Sequence, residues 1–393
     1  MKKSKSPSED ALTAKKPRSR KPWLWAIGLL ILLLLGILLA VVLLPRPAGE
    51  PVIPDTPGMA MVEQMGPGWN LGNTLDSYSA GAPAGLESET SWGNPLTTQA
   101  LLDTLKAAGF TTARIPATWW NHLRADGSVD PAWMDRVQEI VDYGYNIGMY
   151  VILNMHHDDD YGGYIPERKQ EQEVTAQYTR IWAEIAERFR NYDEHLLFEA
   201  FNEPRVPGSL LEWGGGTLSQ RNVINRLNAA FVETVRASSG NNAVRWLMLP
   251  THAAARESRV MRALRLPDDD RLIVSIHAYY PRSFAMNNPD AKTYGEQERR
   301  SLEKMLGRIY DRFVKKGVPV YLGEFGAMDK GNTDDRVRYT ADYTALAARY
   351  GMRCAWWDNG IYIDEAYGGE SFALLDRRTL QWFYPEIAAA AVG

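Results

Sequence analysis

The sequence holds one cysteine in 393 residues, Cys354. No intrachain disulfide is therefore possible. With no CxxC pair and no Cys/His cluster, a structural zinc site is not expected either. Cys354 sits in an apolar run and reads as a buried, inert thiol. No glycine signature of the P-loop or dinucleotide kind follows any apolar segment, which weakens a doubly wound nucleotide-binding sheet; no cofactor is expected. A net excess of positive charge is confined to the N-terminus. The chain carries −4 overall, but residues 1–22 hold eight Lys/Arg against two Asp/Glu, leaving −10 for the remainder. A body that acidic is a poor grip for nucleic acid.

What is present begins with a balance of 45% hydrophobic and 23% charged residues, that of a folded protein. Thirteen tryptophans are the unusual feature; Trp23 and Trp25 are N-terminal and the other 11 lie in the body. Such residues fill cores or form flat platforms for a ligand with an apolar face, and their number alone does not choose.

Residues 1–22 are polar and basic and read as a disordered cytoplasmic tail. Trp23 to Leu44 follows without a charge. At about 1.5 Å per residue such a helix spans a ~30 Å hydrocarbon core. The stretch exceeds a secretory h-region and no clear cleavage site follows, so an uncleaved anchor is expected over a signal peptide. The basic flank would stay in the cytoplasm, sending the rest to the periplasmic or extracellular side. Residues 45–58 carry five prolines and read as an extended linker. The catalytic body is expected over 59–393, as a monomer.

Within that body, strand-like runs alternate with helical ones. The strands expected are 68–72, 112–117, 149–155, 196–202, 245–250, 272–278, 318–324 and 353–357. Asp130 before Pro131 signals a helix start, and Gly109 and Gly317 signal helix ends. Eight strands, each followed by a helix or long loop, predict parallel pairing and a (β/α)₈ TIM barrel, with a doubly wound sheet as the alternative.

On such a barrel, function collects at the carboxyl ends of strands. Those ends carry Asn70, Arg114, His156 and His157, Asn202 and Glu203, His277 and Tyr279, Glu324, then Trp356 and Trp357. Glu203 and Glu324 each follow a buried apolar run, where a carboxylate costs free energy unless paired or used. They read as a pair working across one bond, or as salt-bridge partners tying strands together. The histidines could be site residues or satisfied core ones. HHDDD at 156–160 invites a metal reading. Adjacent side chains do not converge as i, i+4 ligands on a helix do, so no metal is assigned. Trp69, Trp92, Trp119, Trp120, Trp213, Trp356 and Trp357 lie in or beside strand-end loops. There a sugar-stacking role overtakes core filling, although about half should prove structural.

The segments GWNLGNTLDS, ETSWGNPLTT, ARIPATWW, VILNMHH, FEAFNEP, SIHAYYP, YLGEFGA and AWWDNG resemble glycoside hydrolase family 5, in particular its subfamily 4 of endo-β-1,4-glucanases. The resemblance runs from about residue 60 to the C-terminus. It implies that Glu203 is the general acid/base and Glu324 the nucleophile. Arg114, His156, Asn202, His277, Tyr279 and Trp357 match the remaining site positions, with Asn70, Trp119 and His157 as further substrate-binding or orienting candidates. The implied partner is a β-glucan polysaccharide or oligosaccharide.

Retaining cleavage needs one carboxyl protonated and the other ionised. Arg114 is expected to hold Glu324 ionised and Tyr279 to steady its idle oxygen. Glu203, beside apolar walls and a second negative charge, is expected to be pushed upward and keep its proton. Asn202 suits a hydrogen bond to the sugar 2-hydroxyl. Rivals are a xyloglucanase, mixed-linkage glucanase or mannanase on the same scaffold, a non-catalytic carbohydrate receptor, and a metal-dependent hydrolase. His252, closing the fifth strand, fits no firm family pattern.

Overall fold

Each of the eight apolar runs forms a strand, and the strands pair in sequence order, all parallel, into a closed barrel in which β1 also meets β8. The computed structural model describes residues 50–78, 85–161, 164–286, 288–362 and 370–393, with 27, 30, 31 and 33 near the N-terminus. The strands are β1 Gly68–Leu71, β2 Thr112–Ile115, β3 Tyr150–Asn154, β4 Leu196–Glu199, β5 Leu247–Pro250, β6 Leu272–His277, β7 Val320–Phe325 and β8 Arg353–Asp358. Several expected strands extended too far. Pro116 and Pro319, which cannot donate to a ladder, trim β2 and β7. Arg245 leaves the fifth strand to donate instead to the carbonyls of Phe189, Tyr192 and Leu196.

The helices of the body are α1 Pro57–Met65, α2 Gln99–Ala107, α3 Pro131–Tyr145, α4 Glu171–Arg188, α5 Leu218–Ala237, α6 Ser258–Ala263, α7 Arg282–Ala285, α8 Glu296–Arg312, α9 Thr333–Arg349 and α10 Pro385–Val392, with short 3-10 turns and a small hairpin of Leu375–Asp376 with Gln381–Trp382 besides. α3 starts where expected: the Asp130 carboxylate accepts from the Ala132 N–H at 2.8 Å and Pro131 opens the helix. Gly109 and Gly317 both adopt positive φ.

The described body begins at Pro51 rather than Met59. Val52 exchanges two hydrogen bonds with the Tyr310 hydroxyl, and Thr56 caps α1, whose first residue is Pro57. Half of the proline-rich stretch is thus docked structure. Among the described residues no helix is long and apolar enough to cross a membrane. The anchor expected at 23–44 lies outside them except for Ile27, Leu30, Ile31 and Leu33, which are exposed. The tail 1–22 and residues 45–49 also lie outside the described residues.

Two levels inside the barrel matter for the site. Ile152, Leu197, Met248, Ile273, Tyr321 and Ala355 pack with Met61, Val62 and Met65, so α1 stoppers the barrel floor. Side chains alternate along a strand with period two. Two positions further on stand Asn154, Glu199, Ser275 and Gly323. In β7 this alternation would turn Glu324 away from the interior. A bulge prevents it: Ile276 pairs with Leu322 but His277 with Glu324, leaving Gly323 as the extra residue. A Cβ on Gly323 would lie 3.0 Å from both His277 Nε2 and Ser275 Oγ. Glycine is what the imidazole's approach allows.

Candidate active site

Arg114, with no exposed surface, sits at the centre of the upper level. Its Nε–H donates to Glu199 Oε2 (2.8 Å), and Nη1 donates to Asn70 Oδ1 (2.9 Å) and Glu324 Oε1 (2.8 Å). Nη2 meets Asn202 Oδ1 at 3.0 Å and Glu199 Oε2 at 2.7 Å. A guanidinium has five N–H donors; four hydrogen bonds and the Glu199 ion pair hold it on every side. Burial would lower the Arg114 pKa, but the charges of Glu199 and Glu324 drive it up, so the cation is fixed. Asn70 is fully buried and donates onward to the carbonyls of Gly323 and Trp356, both at 3.0 Å. It orients Arg114 and offers no surface to a ligand.

The two glutamates meet. Glu203, His277 and Glu324 place one ligating atom each within 4.8 Å of one another. His277 Nδ1 lies 2.9 Å from Glu203 Oε1 and 3.5 Å from Glu324 Oε2, while the Tyr279 hydroxyl donates to Glu324 Oε2 at 2.8 Å. Burial, then the Glu324 charge, raises Tyr279 well above its ordinary value, so it remains a donor. The expectation that Glu203 is pushed upward is corrected. Burial does push that way, but the hydrogen bond and charge of His277, then Arg205 and Arg114, carry it below the usual range. His277 moves oppositely: burial opposes its charge, but Glu324 and Glu203 raise it. Both shifts favour the proton on the imidazole, between the two carboxylates.

The second correction concerns the adjacent histidines. His156 and His157 do converge, because both lie past the end of β3 at Asn154, where strand alternation no longer applies, and Asp76 from the loop after β1 joins them. Asp76 Oδ2 is 4.0 Å from His156 Nε2 and 3.8 Å from His157 Nε2. The amide of Asn154 is oriented by the Ala117 N–H on its oxygen, so its Nδ2 donates both to Glu199 and to His156 Nδ1 (3.2 Å). His156 therefore carries its proton on Nε2, the atom facing Asp76. That nitrogen is a donor rather than a metal ligand, and burial, then His157, pushes His156 well below its ordinary value. Burial lifts Asp76 to about 6 despite the N–H groups of Thr74 and Asn73. Gaps of this size suit a hydroxyl at hydrogen-bond distance better than a metal at ~2.0–2.1 Å.

The tryptophans divide. Trp119 is fully buried, its Nε1 donating to the Asn154 carbonyl at 2.8 Å, so it is core and not a platform. Trp69 and Trp356 are equally buried. Trp357 lies parallel to the His156 ring at 5.6 Å, Trp92 is half-buried against Tyr78 and His157, and Trp213 is 57% exposed under the Arg205 guanidinium. His252 is buried just after β5. The left-handed residues Ala253 and Ala254 follow it, and the Ala253 N–H donates to the Pro204 carbonyl at 2.9 Å, bracing the loop after Glu203. Two acids of the run have partners: Asp158 accepts from the Trp119 and Trp120 N–H groups, and Asp159 pairs with Arg205 at 2.7 Å.

Sequence reasoning missed Asp76, Asn154, Glu199, Arg205 and Ser275. For Glu199 a signal existed: it stands two residues after Leu197 and four before Glu203, an acid on the inward phase of an apolar strand.

The family described as Cellulase (glycosyl hydrolase family 5) matches residues 77–362. Among curated proteins, the cellulase/esterase CelE of Acetivibrio thermocellus is 44% identical over 340 residues; the match covers 86% of this chain but only 40% of CelE. Among solved structures, a GH5-4 broad-specificity endoglucanase from Ruminococcus champanellensis with bound cellotriose is similar at a TM-score of 0.83 and 43% identity, covering 87% of this chain and 99% of that one. A xyloglucan-specific endo-β-1,4-glucanase from a metagenomic library, in complex with cellotriose, aligns at a TM-score of 0.81 and 38% identity, covering 85% and 98%.

Proposed function

The chain belongs to the cellulase family, glycosyl hydrolase family 5, and from that premise we propose that it cleaves β-1,4-glucan chains internally, with retention at the anomeric carbon. The observation that carries this reading is the spacing of Glu203 and Glu324, whose nearest ligating atoms lie within 4.8 Å. Retaining enzymes hold their carboxyl groups ~5–5.5 Å apart, whereas inverting ones need ~6.5–9.5 Å to admit a water.

In the first step Glu324 attacks the anomeric carbon as the bond to the leaving oxygen breaks, and Glu203 gives that oxygen a proton. Its supply is the His277 Nδ1–H, 2.9 Å from Glu203 Oε1. A sugar filling the mouth displaces water, and a neutral acid–imidazole pair is then favoured over the ion pair. Glu203 thereby holds the proton when the glycosidic oxygen is in place. Once Glu324 is esterified its charge is gone, and with it the largest influence raising His277. Glu203, now ionised, takes a proton from water, whose oxygen attacks the anomeric carbon and releases Glu324.

Asn202 gives its Oδ1 to Arg114, leaving its Nδ2 as the donor for the 2-hydroxyl. Asp76, His156 and His157 suit one further hydroxyl, with Trp357 as the apolar floor. The relative bound to cellotriose supports a cellulose-type backbone. The xyloglucan-specific relative supports xyloglucan as a second candidate.

The test is to follow the product anomer by ¹H NMR during digestion of a cello-oligosaccharide. The β-anomer is expected first, with the α-anomer appearing only through mutarotation. Initial release of the α-anomer ends the retaining reading; no hydrolysis of any β-glucan ends the activity itself.

A further inference from the structure

Arg114 serves two carboxylates, and the reaction as proposed uses only one of them. The other, Glu199, has no exposed surface and cannot touch a sugar. Three hydrogen bonds converge on it, from Arg114 Nε (2.8 Å) and Asn154 Nδ2 (2.9 Å) at Oε2 and from the Ser275 hydroxyl (2.5 Å) at Oε1, and Arg114 Nη2 adds an ion-pair contact at 2.7 Å. Glu324 receives a single N–H from the same guanidinium. Resting on the proposed retaining mechanism, we infer that Glu199 is a positioning residue that sets the strength of the nucleophile by occupying most of the Arg114 charge.

The reasoning is electrostatic. An arginine facing Glu324 alone would stabilise its carboxylate strongly, and a carboxylate so stabilised is a poorer nucleophile. A second buried carboxylate, bound to the opposite edge of the guanidinium, offsets that charge without disturbing the hydrogen bond that aims Glu324 Oε1. Both edges of the planar fork are held, so the aim is kept while the field on Glu324 is reduced. The signs follow. Removing the Glu199 charge exposes Glu324 to the whole cation, which favours its ionised form, lowers the pH at which the acid limb of kcat/KM falls, and slows attack.

The experiment compares Glu199→Gln, which keeps shape and loses charge, with Glu199→Asp, which keeps charge and shortens. Each full-length protein is treated with a 2-deoxy-2-fluoro-cellobioside bearing a dinitrophenyl leaving group. That leaving group needs no acid, so trapping reads the nucleophile apart from Glu203. Glu199→Gln is expected to trap roughly 10- to 100-fold more slowly, with the acid limb about one pH unit or more lower, the range by which a neighbouring charge moves a carboxylate. Glu199→Asp is expected to lie nearer the parent on both readings. The reverse order, with Gln near the parent and Asp impaired, assigns Glu199 a role in shape alone and overturns the inference. Should Glu199→Gln fail to fold, Ser275→Ala gives the second test. Stripped of that donor, Glu199 draws harder on Arg114, so the acid limb moves up; an unmoved limb overturns the inference. Failure of the parent to be trapped at Glu324 counts instead against the retaining mechanism.

Discussion

The floor of the barrel and its chemical layer lie two residues apart on the same strands, yet they are built on opposite terms. Ile152, Leu197, Ile273 and Tyr321 form the lower level, and Asn154, Glu199, Ser275 and Gly323 are the next inward positions. Below, stability comes from burial, at about 25 cal/mol per Å² of apolar surface, and similar volumes are interchangeable. Above, the polar atoms of Asn154, Glu199 and Ser275 have particular partners, and orphaning one costs ~1–3 kcal/mol. Stability and chemistry are therefore separated by level along the same inward face of each strand, and a substitution can be aimed at either.

The largest break in that comparison is Glu324→Gln. Initial rates on soluble substituted cellulose should fall at least ~10⁴-fold, as when a nucleophile is removed elsewhere, while the melting temperature stays within a few degrees. Leu197→Ala, one level down, should do the opposite: ~2–5 kcal/mol lost in denaturant unfolding, with kcat within about twofold of the parent.

A subtler change is read by NMR titration of His277 in the Glu324→Gln protein. The Glu324 charge is the first of the influences raising this imidazole, so the variant should lose the proton at lower pH than the parent. The same linkage fixes the sign for stability. The contribution of protonated His277 is complete below its ordinary value of ~6.5 and fades as pH rises through the raised one. An unchanged titration would separate His277 from the proposed switch of Glu203 between acid and base. The smallest expected effect is that of Trp213→Ala on the exposed loop: KM for long β-glucan rises several-fold, stability moves by less than ~0.5 kcal/mol, and cleavage of short substrates is spared.

Much of this was legible in the sequence, for a physical reason. Strand exits on a parallel barrel are the places where polar residues interrupt apolar runs, so Glu203, His277 and Glu324 stand out by position. What escaped was whatever depends on phase. Trp119 and Trp69 share the exits with Trp357, but one turn of a side chain decides core or cleft. Glu199 was hidden because an apolar run is read as uniformly apolar. The bulge at Gly323 changes the facing of the very next residue, and a lone glycine in a strand is the only trace it leaves. The state of Glu203 could not be read from neighbours in sequence, since the group that governs it arrives from 74 residues away.

The stopper at the barrel floor has a consequence of its own. With Met61, Val62 and Met65 packed against one end of the barrel, the site faces outward at the opposite end, where the strands finish. On the proposed reading, an arriving sugar chain is at once the reactant and the lid that keeps solvent from interfering. Only when its severed half withdraws does the threshold clear for the one water the second step requires.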